Sequence, residues 1–286
     1  MRYTSLHAFL SKGAHALDAR GPFALVLLED GEAIDATIAH CKSQGFREIL
    51  VFGTTELLPE ADTGLYLIEH NMHLTGALTT IVNALIQRFP GVWLHYCYNA
   101  EFLFFPFCES RNIREMLAFH TEERRDAVLT YVIDLYSTDL GSHPNAVALE
   151  AAHFDREGHY ALQRTDAQGK SLDRQLDFFG GLRWRYEQHI PPNRRRIDRI
   201  GLFEATKGLE LREDHTFNDP EYNTYTCPWH NNITAAICSF RTAKALLSNP
   251  HSMHDVRHFW WKHSEPFKWN STQLMELGFI EPGQWF

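Results

Sequence analysis

The chain has 286 residues, 44% of them hydrophobic and 22% charged, with a formal net charge of -9. A chain of that length buries roughly three quarters of its unfolded surface, so its core needs no disulfide or metal staples. The acidic balance argues against nucleic acid as a partner. The five cysteines form no CxxC pair, which excludes a zinc ribbon and leaves no disulfide framework.

The elements follow from hydrophobic patterning in chain order. The opening segment, MRYTSLHAFLSKGAHALDARG, has no continuous apolar run and does not read as a signal peptide. No later stretch approaches the roughly 20 apolar residues of a membrane span. A cytoplasmic protein without a transmembrane segment is expected, with peripheral membrane contact left open. Residues 23–28 are a short apolar run, the signature of a strand buried on both faces of a parallel sheet. Residues 33–44 carry apolar side chains near helical spacing and stop at Gly45. Residues 47–53 and 64–69 read as the second and third strands, and 74–89 as a long helix ended by Pro90 and Gly91. Residues 92–97 are a fourth strand, which 101–105 extends after an interruption. A helix over 112–123 opens on an Asn cap, and 126–135 is a fifth strand.

Strands alternating with helices predict an α/β fold with a mainly parallel sheet flanked by helices. Ligands bind such sheets beyond the carboxyl ends of the strands. Those ends hold Glu29 and Asp30, Gly53 to Glu56, Glu69 to Asn71, and Tyr98 to Glu101. Glu29 and Asp30 either face a ligand or cap the following helix.

Beyond Leu140 the pattern loosens. Residues 141–170 are polar and turn-rich, and 183–199 contain Arg183, Arg185, Arg194, Arg195, Arg196 and Arg199. A helix is predicted over 233–247, followed by an aromatic tail with Trp260, Trp261, Trp269 and Trp285. No linker separates this irregular C-terminal part, so 1–286 reads as a single domain with halves at 1–135 and 136–286.

Three segments carry a family resemblance: PFALVLLEDGEAIDATIAHCKSQGFREILVFG (22–53), VWLHYCYNAEFLFFP (92–106) and PWHNNITAAICSFRTAKAL (228–246). Together they resemble bacterial glycosyltransferases of the GT-A fold related to families 2 and 92. The resemblance implies a GT-A-like, Rossmann-like fold. The first half would bind a nucleotide-sugar donor and the second a saccharide or other hydroxyl acceptor. It also implies a divalent cation, Mn or Mg, held by an Asp-x-Asp pair. Aligning Glu101, Phe102 and Leu103 with the family puts Tyr98 and Ala100 at the two Asp positions. A shift of one gives Asn99 and Glu101 as metal ligands, two oxygens with one charge between them. Gly53 and Asn71 join Glu29 and Asp30 as substrate-binding positions. Arg194 and Arg195 would neutralise a departing diphosphate in a bidentate manner. A transferase also needs a base for the acceptor hydroxyl, and Asp214, His215 and His230 are the candidates. The depleted acidic motif leaves a second reading, a GT-A-like binding or scaffold protein without turnover.

Overall fold

A computed structural model describes residues 1–227 and 231–285. In chain order, β1 (Arg2–Tyr3) and α1 (Leu6–Lys12) precede β2 (Phe23–Leu27), α2 (Ile34–Gln44), β3 (Glu48–Gly53) and β4 (Leu65–Glu69). Then follow α3 (Ala77–Arg88), β5 (Trp93–Tyr98), β6 (Glu101–Phe104), α4 (Ile113–Glu122) and β7 (Ala127–Ser137). The later elements are β8 (Ala152–Asp155), β9 (Tyr160–Thr165), β10 (Ser171–Phe179), α5 (Gly181–Arg185) and β11 (Asp198–Glu204). The last are β12 (Ala235–Ser239), α6 (Arg241–Ser248), β13 (Ser264–Pro266) and α7 (Ser271–Glu276). The fold is α/β with a mainly parallel sheet and flanking helices, as the strand pattern predicts.

The chain divides into two interleaved compact units. The first takes residues 1–102, 108–128 and 200–223, and the second takes 103–107, 129–199 and 224–286. In the first unit the strand order is β1-β4-β3-β2-β5-β11. β2 pairs in parallel with β3 on one side (Leu25 opposite Leu50) and with β5 on the other (Leu25 opposite Tyr96). Only β11 runs antiparallel here, with Leu202 opposite His95. Every residue of β2 is buried, which is why the run shows no polar alternation. The helices end where the sequence places punctuation. Gly45 closes α2 in the left-handed region (φ 88°), its N–H donating to the Cys41 and Lys42 carbonyls. Asn112 opens α4 with a capping box, reciprocated by Glu115.

In the second unit β7 pairs in parallel with β12, Asp134 opposite Ser239. β8 is antiparallel to β7, and β13 to β8. β9 and β10 form a separate antiparallel ribbon with an irregularity between Ser171 and Leu176. One apolar cluster joins Tyr136, Leu182, Ala243, Leu246, Val256 and Phe259. Beside it Asp155, 2% exposed, accepts from the Tyr136 hydroxyl (2.5 Å), Trp261 Nε1 (2.6 Å) and Arg185 Nη1 (3.0 Å). Burial raises the Asp155 carboxyl, and Arg185 opposes that shift. The aromatic tail packs inward: Phe267 meets Phe104 and Phe154 edge-on, and Trp285 meets Phe107.

Two elements differ from the sequence reading. Residues 101–104 do not prolong β5 but form β6, whose later residues run beside β12. The predicted helix over 233–247 is a strand, β12, followed by the shorter α6. The run Ala235 to Ser239 is apolar up to Cys238 and buried throughout, and period alone does not separate a buried strand from a buried helix. Pairing with β7 decides it. The turn-rich segment 141–170 also contains β8 and β9. All five cysteines are free thiols, and only Cys108 is not fully buried.

Candidate functional site

The chain of the first unit steps outward from β2 through β3 to β4, then returns along α3 to place β5 on the opposite side of β2. The strand order therefore reverses between β2 and β5. Connections leave these two strands in opposite directions, which opens a crevice at their carboxyl ends. The register sets Leu27 opposite Tyr98, so Glu29, Asp30 and Asn99 meet there.

Asn99 is fully buried and holds this corner together. Its Oδ1 accepts the Glu29 N–H at 2.8 Å. Its Nδ2 donates to Asp30 Oδ1 (2.6 Å) and to the Glu32 carbonyl (2.9 Å). Asp30 Oδ1 also accepts the Glu32 N–H at 2.9 Å, so the loop after β2 is braced from within and from β5. The next residue, Ala100, lies in the left-handed region (φ 61°), and its N–H donates to Thr37 Oγ1. Glu101 is 1% exposed, and its Oε2 accepts the Tyr98 N–H at 2.9 Å.

Neighbouring strand ends complete the rim. The Gly53 carbonyl accepts the His70 N–H at 2.8 Å. A Cβ at Gly53 would stand 3.0 Å from the Leu28 side chain, a tight fit that a larger residue would relieve only by shifting that leucine. Asn71 is exposed, and its side chain accepts the His73 N–H. The His73 ring reaches back to the Glu29 carbonyl, Nε2 at 3.0 Å. Two titrating groups on this rim are shifted. Its own backbone N–H, and then the Thr54 hydroxyl, hold the Glu56 carboxyl below its ordinary value. Burial lowers the His70 imidazole.

Thus Glu29, Asp30, Gly53 and Asn71 stand on adjacent strand ends, while Glu101 turns toward the backbone of Tyr98. The segment 211–216 approaches from another side. Glu213 Oε1 lies 3.3 Å from Thr79 Oγ1 near the start of α3, and Asn83 exchanges hydrogen bonds with the backbone of Leu211. His215, at φ 64°, stacks on Tyr96 with ring centroids 6.0 Å apart, and its Nδ1 lies 3.1 Å from the Tyr96 hydroxyl. Asp214 is exposed, and its Oδ1 accepts from both the backbone N–H and the hydroxyl of Thr216. His230 lies outside the described residues.

In the second unit the arginines are mostly committed to internal partners. Arg185 pairs with Asp155, Arg196 with Asp177, and Arg183 with Thr242 and Asp134. Arg195 donates to the Ile190 and Glu187 carbonyls, whereas Arg194 is exposed in a short turn.

The two expected metal ligands are engaged within the protein. Asn99 and Glu101 are buried, and one oxygen of each already accepts a backbone N–H. Among the described residues no group of three or more His, Cys, Asp or Glu is placed to hold a metal ion. The sequence reading missed His73 and the anchoring role of Asn99. The strand-end rule reaches His73, four residues past β4. Asn99 is legible only as a turn residue until the β2–β5 pairing is known.

No helix among the described residues is long and apolar enough to cross a membrane. The sequence matches no known protein family. No curated protein matches it either. Among solved structures, a UDP-glucose pyrophosphorylase from Acinetobacter baumanii is similar over 97% of this chain and 90% of that one, with 7% identity and a TM-score of 0.29. A likeness of that size carries no argument about the site.

Proposed function

We propose that this protein binds a nucleotide-sugar at the carboxyl ends of β2 and β5 and transfers the sugar to a hydroxyl acceptor. The observation that carries the reading is the reversal of strand order between β2 and β5, with acidic and amide groups gathered at the crevice it creates. A carboxylate in that place accepts hydrogen bonds from ribose hydroxyls, the role assigned to Glu29. Asp30 shapes the loop through Asn99. Gly53 and Asn71 form the rim. His215, held against Tyr96, is the candidate base for the acceptor, with Asp214 beside it in sequence.

The engagement of Asn99 and Glu101 favours donor binding without a metal at those two residues. It also favours a second reading, a binding protein of the same architecture without turnover. Thermal-shift and calorimetric titration with uridine diphosphate and UDP-glucose, each with and without manganese, test the binding. The nucleotides are expected to raise the melting temperature without manganese. Glu29→Ala is expected to weaken binding by at least about tenfold, the loss of one charged hydrogen bond. Absence of a shift with every nucleotide, or binding indifferent to Glu29→Ala, would sink the assignment. Binding without release of sugar to any hydroxyl acceptor would select the second reading.

A further inference from the structure

A cleft of about 210 Å³ opens within the second unit, lined by Tyr131, His159, Tyr160, Phe178, Phe179 and Phe279. Its walls are ring pairs. Tyr131 meets Phe178 edge-on at 4.7 Å, Tyr160 stacks on Phe179 at 5.2 Å, and His159 meets Phe279 edge-on at 4.8 Å. No lining residue is an acid, a lysine or an arginine. His159 is held by its surroundings, since the Gly180 backbone packs so closely that a Cβ there would overlap the imidazole. Its Nδ1 is buried and has no hydrogen-bond partner among the described residues.

We infer that this cleft is a binding site for a small, uncharged, flat aromatic compound carrying one or two hydrogen-bonding groups on its edge. Charge is selected against because a desolvated ion would find no countercharge in the walls. Burial pushes His159 down to about 4, so the imidazole is neutral near pH 7 and does not attract an anion. Flatness follows from walls made of ring faces and edges, which favour offset and edge-on contacts with another ring. The small polar capacity of the lining side chains, the Tyr131 and Tyr160 hydroxyls and the His159 imidazole, limits the polar groups the ligand can bury. A pyranose carries a hydroxyl on nearly every ring carbon and would leave most of them unpaired. A phenol-like or heteroaromatic edge carries no more polar groups than these few side chains can meet. This site is independent of the nucleotide-sugar reading, which concerns the first unit.

The probe is p-cresol, followed by saturation-transfer NMR and calorimetry on the full chain, with methyl glucoside as the non-aromatic control. Saturable p-cresol binding is expected, at least about tenfold tighter than methyl glucoside. Ala161 lines the cleft from the exposed face of β9, so Ala161→Phe fills it without disturbing the core. That variant is expected to weaken p-cresol binding by at least about tenfold, and Tyr131→Phe by about threefold to fivefold. Uridine diphosphate binding is expected to be unchanged in both variants. No saturable p-cresol binding, equal binding of methyl glucoside, or p-cresol binding unchanged in Ala161→Phe would each overturn the proposal.

Discussion

Asn99 shows how one side chain sets local structure and, through it, a site. A residue of this type in a turn reads as backbone punctuation. In the folded chain its three hydrogen bonds tie the end of β5 to the loop leaving β2. Removing the amide leaves the Glu29 N–H and the Glu32 carbonyl without that partner in a dry environment. Asn99→Ala is therefore expected to destabilise the protein by about 2–4 kcal/mol, read as a lower urea midpoint at unchanged m-value. Asn99→Asp is the sharper comparison. It keeps an acceptor for Glu29 but sets a second carboxylate against Asp30. If Asn99 is an anchor, this variant is also destabilised near pH 7 and manganese does not restore it. Recovery with manganese would instead make position 99 a metal site. The same logic applies to the arginines: Arg185 and Arg196 belong to the arginine-rich stretch 183–199, and their charges meet Asp155 and Asp177.

At the scale of elements, legibility followed burial. The strands at 23–28, 47–52, 65–69 and 92–97 are apolar runs because helices cover both faces of the sheet, and they occur where predicted. The helix at 112–123 is legible from its cap. Asn112 Oδ1 accepts the Arg114 and Glu115 N–H groups, and Glu115 Oε2 accepts the Asn112 N–H. Asn112→Ala is expected to cost about 1 kcal/mol in chemical denaturation, and no loss would mean that tertiary packing alone holds α4. Several elements escaped, β8 to β11 among them. β12 hid inside a predicted helix, and β6 looked like a continuation of β5, because neither pattern contains the identity of the neighbouring strand.

At the scale of the whole molecule, acid stability is set partly by buried histidine. His120 is 1% exposed, and burial, reinforced by Arg125, lowers it to about 3. An unfolded histidine titrates near 6.5. Between those values the unfolded chain binds a proton that the folded chain refuses, so stability falls as pH drops below about 6.5. The buried carboxyls of Asp134, Asp155 and Asp198 are raised by desolvation and act in the opposite sense as pH falls through their folded values. His120 alone is expected to remove roughly 2 kcal/mol between pH 7 and pH 5. His120→Leu should flatten that decline in urea titrations at the two pH values, and an unchanged slope would reject the assignment. By itself the sequence determined the α/β class, the strand and helix positions between residues 23 and 135 and the polar character of the strand ends, since these follow from local period and composition. The tertiary structure decided that 200–223 returns to the first unit while 103–107 joins the second. It also decided that Asn99 and Glu101 are buried anchors and that ring pairs from β7, β9 and β10 frame a cleft. Those outcomes depend on which distant segments pair, and a hydrophobic pattern encodes that a face is buried without encoding what buries it.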